Sequence, residues 1–290
     1  MPLDWSRDGT DWPNRALSRF VRTRAARWHV QRGGSGAGIL LLHGAGGATH
    51  SWAGLIPRLL PDHEILAPDL PGQGFSSGAA PRFSLSHMAE DVGALLEAEG
   101  FRPALIVGHS AGAAIAARMV LDARAAPAAI LSLNGAFTPF RGMAGIVFPT
   151  LARMLALNPF AGALLARSAA PALVENLIGG TGSEIDAQGR ALYARLIGTP
   201  SHVSATLAMM ARWDLGRLLR DLPRLDLPVT LAVGLRDRAV PPETAEEVAR
   251  LLPRAEIRTL AALGHLMHEE NPQQAAALVR QALATAPACS

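Results

Sequence analysis

The chain has 290 residues, 49% of them hydrophobic and 18% charged, which suits a globular protein with a large core and excludes a disordered chain. Its 27 cationic residues are all arginine and exceed the acidic residues by only three, so the net charge gives little support for nucleic-acid binding. The single cysteine, Cys289, excludes a disulfide framework and a cysteine-rich metal cluster.

The N-terminal 32 residues are locally basic, with seven arginines against three aspartates. A solvated hairpin and a docking element are both compatible with this charge. The sequence contains no apolar stretch typical of a signal peptide or a transmembrane helix. These features predict a cytoplasmic protein.

Short apolar strands alternate with helical patterns along most of the chain. The predicted strands are Arg19–Arg22, Arg27–Gln31, Gly38–Leu42, Glu64–Ala67, Ala104–Val107, Ala129–Leu133, Val229–Val233 and Ile257–Leu260. The predicted helices are Met88–Glu99, Ala111–Ala123, Pro242–Leu252 and Pro272–Thr285. This alternation predicts an α/β fold with a mostly parallel sheet and helices on both faces.

One segment, residues 137–222, breaks the alternation because it shows helical patterns and no convincing strand. We predict that it forms a helical cap inserted between two parts of the core, residues 1–136 and 223–290. Met210 and Trp213 lie in this segment. They are either core residues of the cap or contacts for an apolar substrate, since methionine and tryptophan suit both roles.

The pentapeptide Gly108–Gly112 has the form G-x-S-x-G and lies between a predicted strand and a predicted helix. This context predicts a nucleophile elbow, in which Ser110 sits on a tight turn and the next residue, Ala111, offers its N–H to an oxyanion. A second glycine-rich loop, His43–Gly47, follows another strand and predicts Ala45 as the other oxyanion donor. The alternative, a phosphate-binding loop, lacks its usual glycine and lysine pattern.

A serine nucleophile needs a base and an acid that orients the base. Asp237 and His265 each follow a strand, in the chain order that this elbow requires. Asn134 occupies the other position where an acid would serve, which favours Asp237. We interpret His268 as a residue that supports the loop of His265. His109 is either a substrate contact or a packing residue.

No metal site and no cofactor are predicted, because the nine histidines are scattered and the one close pair, His265 and His268, is better explained by the triad. The segment 69–76, with the sequence DLPGQGFS, is interpreted as a tight turn after a strand.

Taken together, GHSAG, HGAGG, DLPGQGFS, Asp237 and the late Gly264–His265 pair resemble the α/β-hydrolase superfamily over residues 19–290. The strings DWSRDGTDWPNRALSRFV, RWHVQR, LSLNGAFTPFRG, GTGSEIDAQGRALYARL and MMARWDL are similar to the magnesium-chelatase accessory α/β-hydrolases of bacteriochlorophyll biosynthesis. This second similarity covers nearly the whole chain. It implies a role in tetrapyrrole pigment synthesis and photosynthesis, near the insertion of magnesium into protoporphyrin.

Two hypotheses about function follow from the motifs and the resemblance. In the first, Ser110, His265 and Asp237 hydrolyse an ester, a thioester or an activated carbonyl of an apolar substrate as large as a porphyrin. Arg141 and Arg212 of the cap would pair with its propionates. In the second, a non-catalytic accessory protein binds a porphyrin or docks to magnesium-chelatase subunits. Ser110 argues against hydrolases with an aspartate nucleophile, whereas a carbon–carbon bond hydrolase and an acyltransferase stay open.

Overall fold

The structure is a computed structural model that describes residues 2–78, 82–138 and 171–285. The strands within these ranges are β1 (Ser18–Arg22), β2 (Arg27–Gly33), β3 (Ala37–Leu42), β4 (His63–Pro68), β5 (Leu105–His109), β6 (Ala129–Leu133), β7 (Val229–Gly234) and β8 (Ala255–Leu260). They form one sheet in the order β1-β2-β4-β3-β5-β6-β7-β8. Strands β3 to β8 run parallel, and β2 is antiparallel to both β1 and β4. The predicted α/β fold with a mostly parallel sheet is therefore confirmed.

All eight predicted strands are present, and their ends differ from the predicted ends by two residues at most. The predicted N-terminal hairpin is also present, with Arg22 of β1 paired to Arg27 of β2. Short apolar runs bounded by glycine, proline and polar residues located the central strands β3 to β7, because these strands are mostly buried on both faces of the sheet.

The helices of the described ranges are α1 (Trp5–Asp8), α2 (Ile56–Leu59), α3 (Leu85–Glu99), α4 (Ala111–Leu121), α5 (Pro171–Gly180), α6 (Ala187–Ile197), α7 (Pro200–Arg212), α8 (Leu215–Asp221), α9 (Glu243–Ala249), α10 (Met267–Glu270) and α11 (Pro272–Ala284). The start predicted for α3 was three residues late. The hydroxyl of Ser84 accepts the backbone N–H of His87 and caps the helix there. The end predicted for α9 was three residues late.

Two hydrophobic cores lie on opposite faces of the sheet. Along β3, Ile39 and Leu41 enter one core while Leu40 and Leu42 enter the other, as the two-residue period of a strand requires. Helices α3 and α4 cover the face of Leu40, and helices α2 and α11 cover the face of Ile39. The prediction of helices on both faces is confirmed.

Between β6 and β7, the described residues 171–221 form the four helices α5 to α8 and contain no strand. Residues 139–170, which include Arg141, lie outside the described residues, as does Cys289. The division of the chain into a core and a cap unit stays a prediction. No helix in the described ranges is long and apolar enough to cross a membrane.

Candidate active site

Ser110 occupies a strained turn between β5 and α4, with φ 50° and ψ −116°. A positive φ is uncommon for a residue with a side chain, and such strain is concentrated at functional sites. The turn is held by three backbone hydrogen bonds: Ser110 N–H donates to Leu133 O (3.0 Å), and Ser110 O accepts from Ala113 N–H (3.1 Å) and Ala136 N–H (3.0 Å). The serine is half-buried at the carboxyl end of the sheet, where open α/β sheets place their sites.

Asp237 and His265 form the second part of the site. The Nδ1 atom of His265 lies 2.8 Å from Oδ2 of Asp237, and both side chains are buried. The other carboxylate oxygen accepts the backbone N–H groups of Ala239 (2.7 Å) and Val240 (2.8 Å). A carboxylate in this position accepts a hydrogen bond from Nδ1–H of a neutral imidazole, which leaves the lone pair on Nε2 that a general base needs.

The residue before the nucleophile connects the turn of Ser110 to the loop of His265. The Nε2 atom of His109, the residue before the serine, donates to the carbonyl oxygen of His265 (2.9 Å). Among the described residues, no hydrogen bond joins Ser110 Oγ to the His265 ring. Contacts between a base and its nucleophile are often long before substrate binds. The structure thus pairs the predicted base with the predicted acid and places the predicted nucleophile on the adjoining turn.

The two predicted oxyanion donors lie close to the serine, one in a neighbouring loop and one in the next residue of the chain. The loop with Ala45 passes beside it, since a side-chain Cβ added to Gly44 would lie 3.1 Å from Ser110 Cβ. Within the described ranges, neither Ala45 N–H nor Ala111 N–H has a hydrogen-bond partner. Ala111 opens α4, so its N–H belongs to the free amino end of the helix. Both groups are available to stabilise negative charge on a substrate oxygen.

Asn134 is a site residue that the sequence argument used only to exclude an acid. Its side-chain NH₂ donates to the carbonyl oxygens of Gly264 (2.8 Å) and His265 (2.9 Å), and its Oδ1 accepts Gly234 N–H (2.8 Å). It therefore joins the ends of β6 and β7 to the loop of the predicted base. Its place at the end of a strand is the one signal in the sequence that pointed to it.

The structure supports the packing interpretation of His109. The side chain is buried between the rings of His265 and His268, at centroid distances of 4.8 and 4.5 Å. Burial and the neighbouring imidazoles hold the pKa of His109 well below its usual range. The ring of His109 thus holds the loop of His265 through its bond to His265 O. A substrate contact at His109 and a supporting role for His268 stay predictions.

Asp69 organises the loops beneath the site, a role that the sequence did not reveal. Its carboxylate accepts the backbone N–H groups of Thr49 (2.7 Å) and Phe75 (2.9 Å) and contacts His29 Nδ1 (2.8 Å). Burial alone would raise the pKa of Asp69, but the contacts with His29 and the charge of His43 bring it down to about 2. The predicted tight turn at 69–76 is thus tied to the segment that begins at Thr49, just after the loop of Ala45.

The other predicted substrate contacts lie on or next to α7. Met210 and Trp213 are half-buried, and Trp213 packs against the core on the α3 side of the sheet. The adjacent Met209 is buried, and its sulfur accepts a hydrogen bond from Gln73 Nε2 (3.2 Å). Arg212 is exposed. A substrate contact at Met210 or Trp213 stays a prediction. Within the described ranges, no three His, Cys, Asp or Glu side chains are grouped to hold a metal ion.

Glu269 of α10, four residues after the predicted base, forms a half-buried pair with Tyr193 of α6. The Tyr193 hydroxyl donates to Glu269 Oε1 (2.7 Å). Burial raises the pKa of Glu269 from its ordinary value of 4.5 to about 8; the Tyr193 hydrogen bond opposes the rise, and the charges of Asp186 and Glu270 add to it. Helix α6 and the segment that follows His265 therefore meet at a carboxyl group whose pKa folding raises.

The free energy of unfolding is expected to depend on this group between pH 4.5 and about 8. A carboxyl whose pKa rises on folding contributes stability below its unfolded pKa and loses it as the pH climbs through the folded pKa. Glu269→Gln should therefore be more stable relative to wild type at pH 8 than at pH 5, as measured by urea denaturation at both values. The exposed Glu243→Gln is the control, and equal differences at both pH values would contradict the expectation.

Known proteins resemble this chain in sequence and in fold. The family model described as "alpha/beta hydrolase fold" matches residues 39–272. The "Magnesium-chelatase 30 kDa subunit" of Rhodobacter capsulatus is 43% identical over 263 residues, covering 89% of this chain and 92% of that protein. A pimeloyl-[acyl-carrier protein] methyl ester esterase of Methylococcus capsulatus is 33% identical, covering 77% of this chain and 85% of the esterase.

Solved structures show the same architecture at lower identity. An α/β hydrolase fold protein from Burkholderia ambifaria superposes with a TM-score of 0.78 at 23% identity, covering 91% of this chain and 97% of that one. An esterase from Exiguobacterium antarcticum gives 0.77 at 18% identity, covering 93% of this chain and all of the esterase. These likenesses concern the fold alone. Together with the family match and the extensive similarity to the Rhodobacter subunit, they show that the chain belongs to the α/β hydrolase fold family.

Proposed function

We propose that the protein is a serine hydrolase with Ser110 as nucleophile, His265 as base and Asp237 as orienting acid. The observation that carries the proposal is the hydrogen bond between His265 Nδ1 and Asp237 Oδ2 (2.8 Å) beside a serine at φ 50°. Strain at the serine and a fixed imidazole tautomer are what nucleophilic catalysis needs. A turn with only a structural role requires neither backbone strain at the serine nor a fixed tautomer of a nearby imidazole.

In the proposed reaction, Ser110 Oγ attacks the carbonyl carbon of an ester or thioester while Nε2 of His265 takes the hydroxyl proton. The N–H groups of Ala45 and Ala111 bind the oxyanion that forms, and Asp237 stabilises the imidazolium. The imidazolium then protonates the leaving group, and an acyl group remains on the serine. Water activated by the same imidazole releases the acid and restores Ser110.

We further propose that the substrate belongs to tetrapyrrole synthesis. The support is the 43% identity to a protein named as a magnesium-chelatase subunit, over nearly the full length of both chains. An ester of a porphyrin combines that likeness with the proposed nucleophile, because helix α7, with its apolar residues, contacts the loop that carries Ala45. Esterases among the relatives, such as the one from Methylococcus capsulatus, support the choice of an ester bond.

The test of the proposed function is covalent labelling of the intact protein by a fluorophosphonate, read by mass spectrometry. We expect a single adduct on wild type and none on Ser110→Ala, because only an activated serine attacks phosphorus at a useful rate. Ser132→Ala is the matched control, since that serine is buried on β6 and should leave labelling intact. A wild-type protein that carries no adduct after prolonged incubation would contradict the proposal.

A second candidate function, a non-catalytic accessory protein that binds porphyrin or docks to chelatase subunits, is favoured by the name of the same relative. The two candidate functions differ in whether the Ser110 hydroxyl is required. If the protein acts only by binding, Ser110→Ala should restore pigment synthesis in a strain that lacks the gene. If it acts as a hydrolase, the same variant should fail to do so while accumulating to the wild-type level.

A further inference from the structure

His202, on cap helix α7, lies against the glycine loop that carries Ala45. The side chain is buried and uses both ring nitrogens: Nδ1 accepts Gly74 N–H (3.0 Å), and Nε2 donates to Gly46 O (3.1 Å). Burial lowers the pKa of His202 to about 4, so the ring is neutral near pH 7. A neutral imidazole has one donor and one acceptor, and here each nitrogen makes the one bond available to it.

A second side chain, that of Gln73, also holds this loop. Gln73, in the turn after β4, accepts Gly46 N–H through Oε1 (2.8 Å) and donates through Nε2 to the sulfur of Met209 on α7. Both backbone groups of Gly46 are therefore hydrogen-bonded. Its carbonyl oxygen is bound by His202 of α7, and its N–H is bound by Gln73, which also contacts α7. Helix α7 thus contacts the loop directly through His202 and indirectly through Gln73.

The remaining bonds of the loop fix the peptide that bears the Ala45 donor. Gly44 O and Ala45 N–H belong to one planar trans peptide and point in opposite directions. Gly44 O accepts Gly47 N–H (3.1 Å) and contacts His43 Nδ1 (2.8 Å), which sets the direction of Ala45 N–H. Since Gly47 directly follows Gly46, a displacement of Gly46 would also move the group that holds Gly44 O.

We propose that His202 is a positioning residue that holds the oxyanion loop in its active geometry, so that docking of α7 on the core assembles the Ala45 donor. The inference rests on the proposed function, because it assigns Ala45 N–H to the oxyanion. An oxyanion donor acts only when it is aimed at the developing charge, and small misplacements cost rate more than binding. The cap would then help to form the catalytic site as well as to cover it.

The test compares His202→Ala, His202→Gln and His202→Asn in hydrolysis of a p-nitrophenyl ester. Glutamine can place an NH₂ near the former Nε2 and keep the bond to Gly46, whereas asparagine can replace only the Nδ1 contact with Gly74. We expect kcat to fall about 10-fold or more in the alanine and asparagine variants with KM nearly unchanged, and to recover in the glutamine variant. The exposed Ser204→Ala on the same helix is the control.

A second measurement keeps this inference separate from the proposed function. Amide hydrogen exchange in a peptide covering residues 43–47 should be faster in His202→Ala than in wild type or Ser204→Ala, because the loop loses its bond to the cap. This readout requires no activity. Failure of wild type to react with the fluorophosphonate would overturn the proposed function. Unchanged exchange, or unchanged kcat in His202→Ala of an active protein, would overturn the positioning role alone.

Discussion

Replacing Asp237 with asparagine is expected to lower the kcat of ester hydrolysis by about 10⁴-fold without changing the fold. The reason is that the two oxygens of the Asp237 carboxylate have different hydrogen-bond partners. Oδ1 accepts the backbone N–H groups of Ala239 and Val240, while Oδ2 accepts from His265 Nδ1. An asparagine must keep its oxygen toward the two N–H groups, which turns its NH₂ toward the imidazole. Nδ1 then becomes an acceptor, and the ring proton moves to Nε2, so no lone pair is left there for the proton of Ser110.

The measurement is steady-state hydrolysis of a p-nitrophenyl ester, with circular dichroism and urea denaturation to show that the variant is folded. Asp226→Asn provides the matched control, because Asp226 is exposed and precedes β7 whereas Asp237 follows the same strand. The control should retain the wild-type kcat. An Asp237→Asn variant within 10-fold of wild type would show that His265 does not depend on this carboxylate, and it would remove the main support for the proposed mechanism.

The parts of the site that could be predicted from sequence are those attached to the ends of strands. Ser110, Asp237 and His265 each follow an apolar run that is a strand in the structure. Parallel strands bring their carboxyl ends to one edge of a sheet, so residues far apart in sequence meet without any further information. The tight turn at Ser110 was predictable because Gly108 and Gly112 lack the side chains that would clash in such a turn.

The residues that could not be predicted act through contacts between loops. Asn134 bridges two strands and the His265 loop, Asp69 ties the turn after β4 to the segment that begins at Thr49, and His202 reaches the core from the cap. None of these bonds follows a helical or strand period. Each depends on the relative placement of segments 20 or more residues apart, which local sequence patterns do not encode.

The raised pKa of Glu269 also could not be predicted from local sequence patterns. A glutamate four residues after a predicted catalytic histidine, in the string GHLMHEEN, is typical of an exposed helix start, where a negative charge is favourable. The fold instead buries it against Tyr193 of α6, a residue that the sequence places 76 positions away. Only burial by tertiary packing raises the pKa of this carboxyl above the ordinary value that the sequence suggests.

The close packing of α4 on β3 behind the nucleophile leaves no room for a side chain at Gly112. A Cβ at this position would collide with the carbonyl group of Leu42 and would lie 2.9 Å from His43 O. Both are backbone atoms of the segment that leads into the Ala45 loop. Because backbone cannot swing aside as a side chain does, the helix would have to move away from the strand. That movement would carry Ala111 and Ser110 with it.

Gly112→Ala is therefore expected to lower the free energy of unfolding by about 3 kcal/mol, the upper end of what forced overpacking costs. Gly179→Ala is the control, because Gly179 also lies in a helix and a Cβ there would meet nothing within 4 Å. That variant should gain about 0.5–1 kcal/mol, since alanine restricts the unfolded chain and favours helix. Urea denaturation measures both changes. If the two alanines had the same effect on stability, the contact between α4 and β3 would not be as tight as the structure has it, and the elbow would owe its shape to the serine turn alone.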